Sequence, residues 1–400
     1  MFKNLSDELK QYLVITGNYW AFTLTDGALR MLVVLYFHQL GYDALQVAFL
    51  FLFYEFFGVV TNLFGGWLGT RLGLNRTMNI GLLMQVVALA MLALPNGYLT
   101  IAWVMLAQAL SGIAKDLNKM SAKSAIKLFV KDDQQGQLYK WVAILTGSKN
   151  TLKGIGFFLG GLLLTLIGFQ SAMILMASVL MLVFIASLLL LKADLGKIER
   201  KVKFKELFSK SEAINRLSLA RMFLFASRDV WFVVALPVYL SETYGWNSWT
   251  VGGLIALWVI VYGGIQSIAP YFTGKRSGKL PDGRSATLWA FALIFTPLLV
   301  MFSLSFANWL VVLCLFIFGA LFAINSSLHS YLIVSYAQRE GVSLDIGFYY
   351  MANAMGRLIG TLLSGWVFVN YGLSACLIVS SSLIVLAMLF SLKLPQEQFK

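Results

Sequence analysis

Lys149 and Lys153 stand four residues apart in the apolar stretch 146–161, TGSKNTLKGIGFFLGG. On a helix, that spacing puts both ammonium groups on one face. At bilayer depth each costs at least about 2.5–3.5 kcal/mol, so it persists only where it faces protein or water. The glycines around them let a neighbouring backbone approach closely. A positive, small-residue face inside a membrane is the chemistry of binding an anion that must cross.

Other ionisable residues also fall at depth in apolar runs. They are Asp26, Arg30, Glu55, Lys115, Asp116, Lys119, Arg221, Arg228, Asp229, His329 and Arg357. Cations outnumber anions in this set, and a buried surplus of positive charge calls for an anionic ligand. Arginine grips phosphate or carboxylate with a two-pronged fork. Lysine is a point charge whose proton is more easily lost on burial. We therefore expect Lys149, Lys153, Arg228 and Arg357 to hold the anion, with Arg30 and Lys115 as further candidates. Asn353, and with it Asn18, Asn62, Asn150, Asn325, Tyr349 and Tyr350, would orient its polar groups. Asp26, Glu55 and Asp229 would balance the cations when the site is empty, and one of them would carry a coupling proton.

Plainer roles stand beside these. Asp26 and Arg30, at i and i+4, could pair along their own helix. Lys119 and Lys123 could extend to the headgroups at the cytoplasmic end. His329 reads as a packing residue whose ring nitrogens are satisfied.

The elements that must position these residues follow from composition. Of 400 residues, 59% are hydrophobic and 12% charged, about half the charge of a soluble chain. The sequence predicts an all-α polytopic membrane protein. Twelve apolar segments are long enough to cross a bilayer: 12–38, 45–69, 78–95, 99–127, 138–167, 171–191, 216–241, 248–274, 285–306, 308–334, 345–369 and 373–393. After the polar start, MFKNLSDELKQ, no short apolar run with a small-residue cleavage site follows, so the first segment reads as a retained helix. Cys314 and Cys376 each lie in an apolar run and read as small packing residues.

Lys and Arg exceed Asp and Glu by 31 to 18. On a soluble chain a net charge of +13 would suggest nucleic acid; here the cations gather in alternate loops. Arg71 and Arg76, Lys127 and Lys131, the run from Lys192 to Arg216, Lys275 to Arg284, and Arg339 form one set. The other loops, HQLGYDA, PNGY, GFQS, SETYGWNS, SFAN and VNYG, hold almost none. This bias places the basic loops and both termini in the cytoplasm, as an even helix count requires. The basic loop 192–215 then links an N-terminal half, 1–191, to a C-terminal half, 216–400.

The halves repeat. At an offset of 204, Lys153 falls on Arg357, Gly156 on Gly360, Gly161 on Gly365 and Gly168 on Gly372. At an offset of 203, Asp26 falls on Asp229 and Tyr36 on Tyr239. Two adjacent registers that each keep a charge at depth indicate a duplicated six-helix unit.

Twelve helices in two pseudo-symmetric six-helix halves resemble the major facilitator superfamily. The loop after segment two, GWLGTRLGLNR, is similar to that family's GxxxDRxGR(K/R) signature. Gly66, Arg71 and Gly73 are in place, Thr70 stands at the acidic position, and the later basic cluster is reduced to Arg76. Segment five is similar to the antiporter pattern G-x8-G-x3-G-P through Gly147, Gly156 and Gly160, with Gly161 where proline is expected. These glycines and Arg71 would serve conformational change.

Three runs are more specific: GNYWAFTLTDGALRMLVVLYFHQLGY, FLFYEFFGVVTNLFGGWLG and SGIAKDLNKMSAKSAIK. They resemble the organoarsenical efflux branch, the ArsJ-type permeases, and the likeness runs over essentially the whole chain. It implies export of 1-arseno-3-phosphoglycerate, the unstable acyl arsenate formed when arsenate replaces phosphate in the glyceraldehyde-3-phosphate dehydrogenase reaction. That dehydrogenase would be the functional partner, and arsenate resistance the outcome.

We expect a monomeric secondary transporter of the bacterial inner membrane that rocks about a substrate held between its halves. It needs no cofactor beyond a coupling proton. The chain has no HExxH, CxxC or GxxxxGK[ST] motif, so neither an enzyme nor an ATP-driven pump is expected. The residues alone leave open a permease for another organic phosphate, a drug exporter or a non-transporting membrane sensor.

Overall fold

The computed structural model describes residues 7–42, 50–131, 134–191, 195, 211–275 and 280–396, and all its long elements are helices. The basic linker expected over 192–215, apart from Leu195 and 211–215, lies outside them, as do Arg276, Lys279 and the start of segment two.

The first six segments are six helices. They are α1 (Asp7–Gln39), α2 (Leu52–Leu72), α3 (Leu74–Leu92), α4 (Ile101–Phe129), α5 (Gln135–Ile167) and α6 (Phe169–Leu190). Segment seven is split into α7 (Glu212–Phe232) and α8 (Ala235–Tyr244). The cause is Pro237, which lacks an N–H and collides with the carbonyl four residues before it. The backbone N–H of Ala235, released by the break, donates to Ser364 Oγ at 3.2 Å. Then follow α9 (Ser248–Pro270), α10 (Gly283–Ser303) and α11 (Asn308–Tyr336). Last comes α12 (Val342–Ser391), whose 50 residues hold segments eleven and twelve. The run is two helices, 342–371 and 373–391, about 45 and 28 Å long at 1.5 Å per residue, parted at Gly372, where φ is 75°. Gly168, its partner in the repeat, separates α5 from α6 with φ at 78°. Only glycine takes such values without strain, so the duplication is written into the backbone as well.

Local signals fix several starts. Thr100 caps α4 by accepting from Trp103 N at 3.3 Å, and Asn247 caps α9 through Thr250 N at 2.9 Å. Asp282 and Ser285 form a capping box at α10.

Eight of the described helical stretches are long and apolar enough to cross a membrane. α2, α3 and α4 fall outside that set. The last two carry buried polar groups such as Asn75, Gln85, Asp116 and Lys123 along their lengths. Outward-facing side chains are strongly apolar, with Leu189 and Val369 80% and 81% exposed, as a lipid-facing surface requires.

The chain divides into two compact units. One comprises Met1–Gln134, Ser148–Ser209 and Ala337–Met351; the other, Gln135–Gly147, Lys210–Tyr336 and Ala352–Lys400. The start of α5 thus belongs with the later helices, and the start of α12 with the earlier ones. In the first unit, Phe22, Leu32, Leu82, Leu89, Val104 and Phe169 are among the core residues. The core of the second is aromatic: Trp231 meets Phe318 edge-on at 4.9 Å, and Trp258 stacks on Tyr262 at 5.3 Å. Cys314 and Cys376 are buried free thiols in that core.

Candidate functional site

In the first unit the charges gather round one phenol. Tyr54 on α2 is 1% exposed, and its backbone lies against Gly112 of α4, where a Cβ would come 2.6 Å from the Tyr54 carbonyl. That close approach brings Lys115 Nζ to 3.8 Å from the Tyr54 ring centre. The Arg30 guanidinium lies over the same ring at 4.5 Å. The Tyr54 hydroxyl donates to Asp26 Oδ1 at 2.7 Å. Arg30 pairs with Glu55 at 3.0 Å, so it does not pair along its own helix with Asp26. The geometric reason is rotation: α2 presents Glu55 to Arg30 and Tyr54 to Asp26.

Below this cluster, Asp116 is 1% exposed and holds Lys119 at 2.5 Å and Lys115 at 3.8 Å. Lys123 is buried and donates to the Tyr350 hydroxyl, while Lys119 lies over the Tyr350 ring at 4.6 Å. The expected reach of Lys119 and Lys123 to the headgroups is therefore incorrect. Both turn inward, to a buried carboxylate and a phenol.

In the second unit Asp229 is fully buried and bonded to two arginines. Arg228 reaches its Oδ1 at 2.6 Å, and Arg357 reaches its Oδ2 at 3.2 Å. Arg357 arrives there because α12 packs tightly on α7: a Cβ on Gly360 would lie 2.7 Å from Ala226 O and 3.0 Å from Asp229 Cβ. The Arg228 guanidinium is enclosed by Phe225 at 4.9 Å and Phe322 at 5.4 Å. Two turns earlier on α7, buried Arg221 donates to Asn353 Oδ1 at 2.8 Å and to Ser326 O at 3.1 Å. Asn353 thus orients an arginine. Two cations on one carboxylate, at 15% and 30% side-chain exposure, put more positive than negative charge at this point.

Lys149 and Lys153 are half-buried on α5. Lys153 Nζ lies 6.0 Å from the Phe157 ring centre, and its carbonyl is the atom that a Cβ on Gly27 would meet, at 2.7 Å. That places α5 against α1 one residue from Asp26. Gly156 has the same function from the other side, since its Cβ would fall 2.7 Å from Leu24 O. Gly160 packs on the Ala28 carbonyl. The repeat is therefore also a repeat of contacts: α5 on α1 near Asp26, α12 on α7 near Asp229.

Three other asparagines bond within the protein. Asn18 donates to Ser187 Oγ at 2.9 Å, Asn62 to Gly58 O at 2.5 Å, and Asn325 to Trp289 O at 2.9 Å. His329 is buried as expected, but neither ring nitrogen has a hydrogen-bond partner among the described residues. It is not a satisfied packing residue.

The sequence model of the Major Facilitator Superfamily matches residues 15–343. The chain belongs to the major facilitator superfamily. This is a family of transporters, and the all-α fold agrees with it. The human organic anion transporter MFSD10 (TETRAN) superposes with a TM-score of 0.77 at 16% identity, covering 97% of this chain and 100% of that one. A bacterial homologue of the iron transporter ferroportin, in an outward-facing state, gives 0.72 at 14%, covering 97% and 99%. The E. coli fucose:proton symporter FucP gives 0.73 at 11%, covering 97% and 100%. These likenesses are of fold. No curated protein sequence matches the chain.

In this major facilitator the signature expected as a loop is helical: Gly66 to Leu72 end α2, and α3 begins at Leu74, with only Gly73 between them. Ser343 Oγ donates to Gly66 O at 2.8 Å, and a side chain on Gly66 would strike the Ser343 carbonyl. Gly73 turns the chain between α2 and α3 with φ at 89°. Thr70, at the acidic position, is buried and donates to Trp67 O at 2.7 Å, while Arg71 is exposed and stacks on Trp67 at 4.2 Å.

Sequence reasoning missed Tyr54 and the roles of Asp116, Arg221 and Tyr350. Tyr54 carried one usable signal, a phenol directly beside a carboxylate at depth in FYEFF. In the sequence Arg221 and Asp116 show only a charge at depth.

Proposed function

We propose that this major facilitator exports an organic anion by alternating access, and that its cargo is 1-arseno-3-phosphoglycerate. The observation that carries the anion is the pair of arginines on fully buried Asp229, with an enclosure of aromatic rings round Arg228. Lys149, Lys153, Arg30 and Lys115 supply further positive charge from the first unit. Phosphate and acyl arsenate groups are anions of the kind that such cations bind. The cargo itself is named from the resemblance to ArsJ-type permeases.

On this reading the protein lies in the bacterial inner membrane with both termini in the cytoplasm, and works as a monomer. Glyceraldehyde-3-phosphate dehydrogenase supplies the substrate, and export removes arsenate from the cell. A proton on one of the buried carboxyls couples transport to the membrane gradient.

The test is uptake into everted vesicles that contain the protein. They would be given glyceraldehyde-3-phosphate dehydrogenase, glyceraldehyde 3-phosphate, NAD and labelled arsenate. Label should accumulate only when every component is present, and not in vesicles lacking the protein. Absence of uptake with correctly folded protein would remove the organoarsenical cargo. Phosphorylated metabolites would then be screened in its place.

A further inference from the structure

Five of the six residues from Asn325 to Ser330 on α11 are polar, and all six are buried. Ser326, His329 and Ser330 stand at i, i+3 and i+4, so they share one face of the helix. That face meets α7. Arg221 donates to Ser326 O at 3.1 Å and lies within electrostatic range of His329. Ser218, three residues before Arg221, is on the same side of α7. All of these residues belong to the second unit.

The hydrogen bonding of this face is incomplete. Both ring nitrogens of His329 and the hydroxyls of Ser218 and Ser330 have no partner among the described residues. Ser218, Arg221, His329 and Ser330 are each 3% exposed or less, so bulk water does not satisfy them. One buried polar atom left unpaired is costly. Four of them beside a guanidinium mark the place of a molecule that pairs them.

Their chemistry says which molecule. The Arg221 guanidinium, two hydroxyls and an imidazole N–H are donors, and a set of donors suits an oxyanion. A neutral imidazole also has one nitrogen that accepts, and that nitrogen needs an O–H from the ligand. Hydrogen phosphate and hydrogen arsenate carry both features in one small ion. Sulfate at neutral pH has no O–H.

Arg221 and Arg228 are two turns apart on α7, about 10 Å along its axis. Both reach the Phe225 ring, at 4.0 and 4.9 Å from its centre. At an offset of 203 the first half has Asn18 where the second has Arg221, so this feature is the second half's own.

We propose that Ser218, Arg221, His329 and Ser330 form a second anion subsite, which takes a protonated phosphate-type group two turns along α7 from Arg228. Arg221 and the serines hold its unprotonated oxygens, and His329 accepts its O–H and so selects it. A role as a staging point for the transported anion rests on the proposed function; the binding of phosphate does not.

Equilibrium binding of labelled inorganic phosphate to the purified protein in lipid nanodiscs tests this. The background is Asp229→Asn/Arg357→Gln, which disables the arginine pair on Asp229. Phosphate binding should persist there, and sulfate should compete at least about a hundredfold more weakly than phosphate. Adding His329→Leu should abolish the binding, and adding Ser330→Ala should weaken it about tenfold. These changes remove atoms that pair with nothing else in the described residues, so Tm without phosphate should not fall. Phosphate should raise the Tm of the wild type and not that of His329→Leu. If His329→Leu does not fold, Ser218→Ala and Ser330→Ala carry the test. Phosphate binding unchanged in these variants would overturn the subsite and leave its polar atoms to buried water. Sulfate competing as well as phosphate would overturn the selection by His329. Binding lost in the background variant but kept in His329→Leu alone would place phosphate at Asp229, against the subsite and in keeping with the proposed function. Failed organoarsenical uptake beside the expected phosphate results would fault the cargo and not the subsite.

Discussion

Arg357 on α12 reaches Asp229 on α7 at 3.2 Å, and the carboxylate is fully buried. The bond joins two segments that lie more than a hundred residues apart, and it places a half-open guanidinium beside Arg228. Removing one partner of such a pair leaves the other buried without compensation, at a cost of roughly 3–5 kcal/mol.

Arg357→Ala should therefore abolish anion uptake into everted vesicles and also lower thermal stability. Asp229→Asn should cost stability as well, because it leaves two guanidiniums facing each other. The double variant Asp229→Asn/Arg357→Gln should recover much of the stability and none of the uptake. Tm and uptake measured on all three would check this, and recovery of transport in the double variant would contradict the assignment.

The contacts between α5 and α1, and between α12 and α7, should tolerate no added methyl. Gly156→Ala and Gly360→Ala each put a Cβ 2.7 Å from a backbone oxygen, so each should destabilise by about 1–3 kcal/mol. Gly161→Ala has its nearest neighbour at 3.7 Å, and Gly365→Ala has none within 4 Å. Those two should be neutral in a thermal-melt comparison.

Gly73 and Arg71 belong to one signature yet should differ in consequence. Gly73→Ala forces a φ of 89° on a side-chain residue and should cost about 1–2 kcal/mol. Arg71→Ala removes an exposed stacking contact on Trp67, worth about 0.5–1 kcal/mol. Unfolding in a denaturant series would rank them.

Lys115→Ala should raise KM for the transported anion more than it lowers stability, because Asp116 keeps Lys119. Asp116→Asn should do the reverse, since it releases two ammonium groups round one buried site. Paired KM and Tm measurements would distinguish the two.

The span positions, the breaks at Gly168 and Gly372 and the cationic faces were legible in the sequence. Hydrophobic length and glycine placement are properties of the chain taken one segment at a time, and bilayer thickness supplies the ruler. The duplication was legible too, because a register survives as residue spacing. Partner choice was not. Spacing allowed Asp26 to pair with Arg30 one turn along the helix, and allowed Lys119 and Lys123 to extend to lipid. Only the rotation of α2 gave Arg30 to Glu55 and Asp26 to Tyr54, and only the packing of α4 turned the lysines inward. A helix sequence fixes which residues share a face; what that face meets depends on neighbours distant in the chain, and charge pairing within a membrane is decided there.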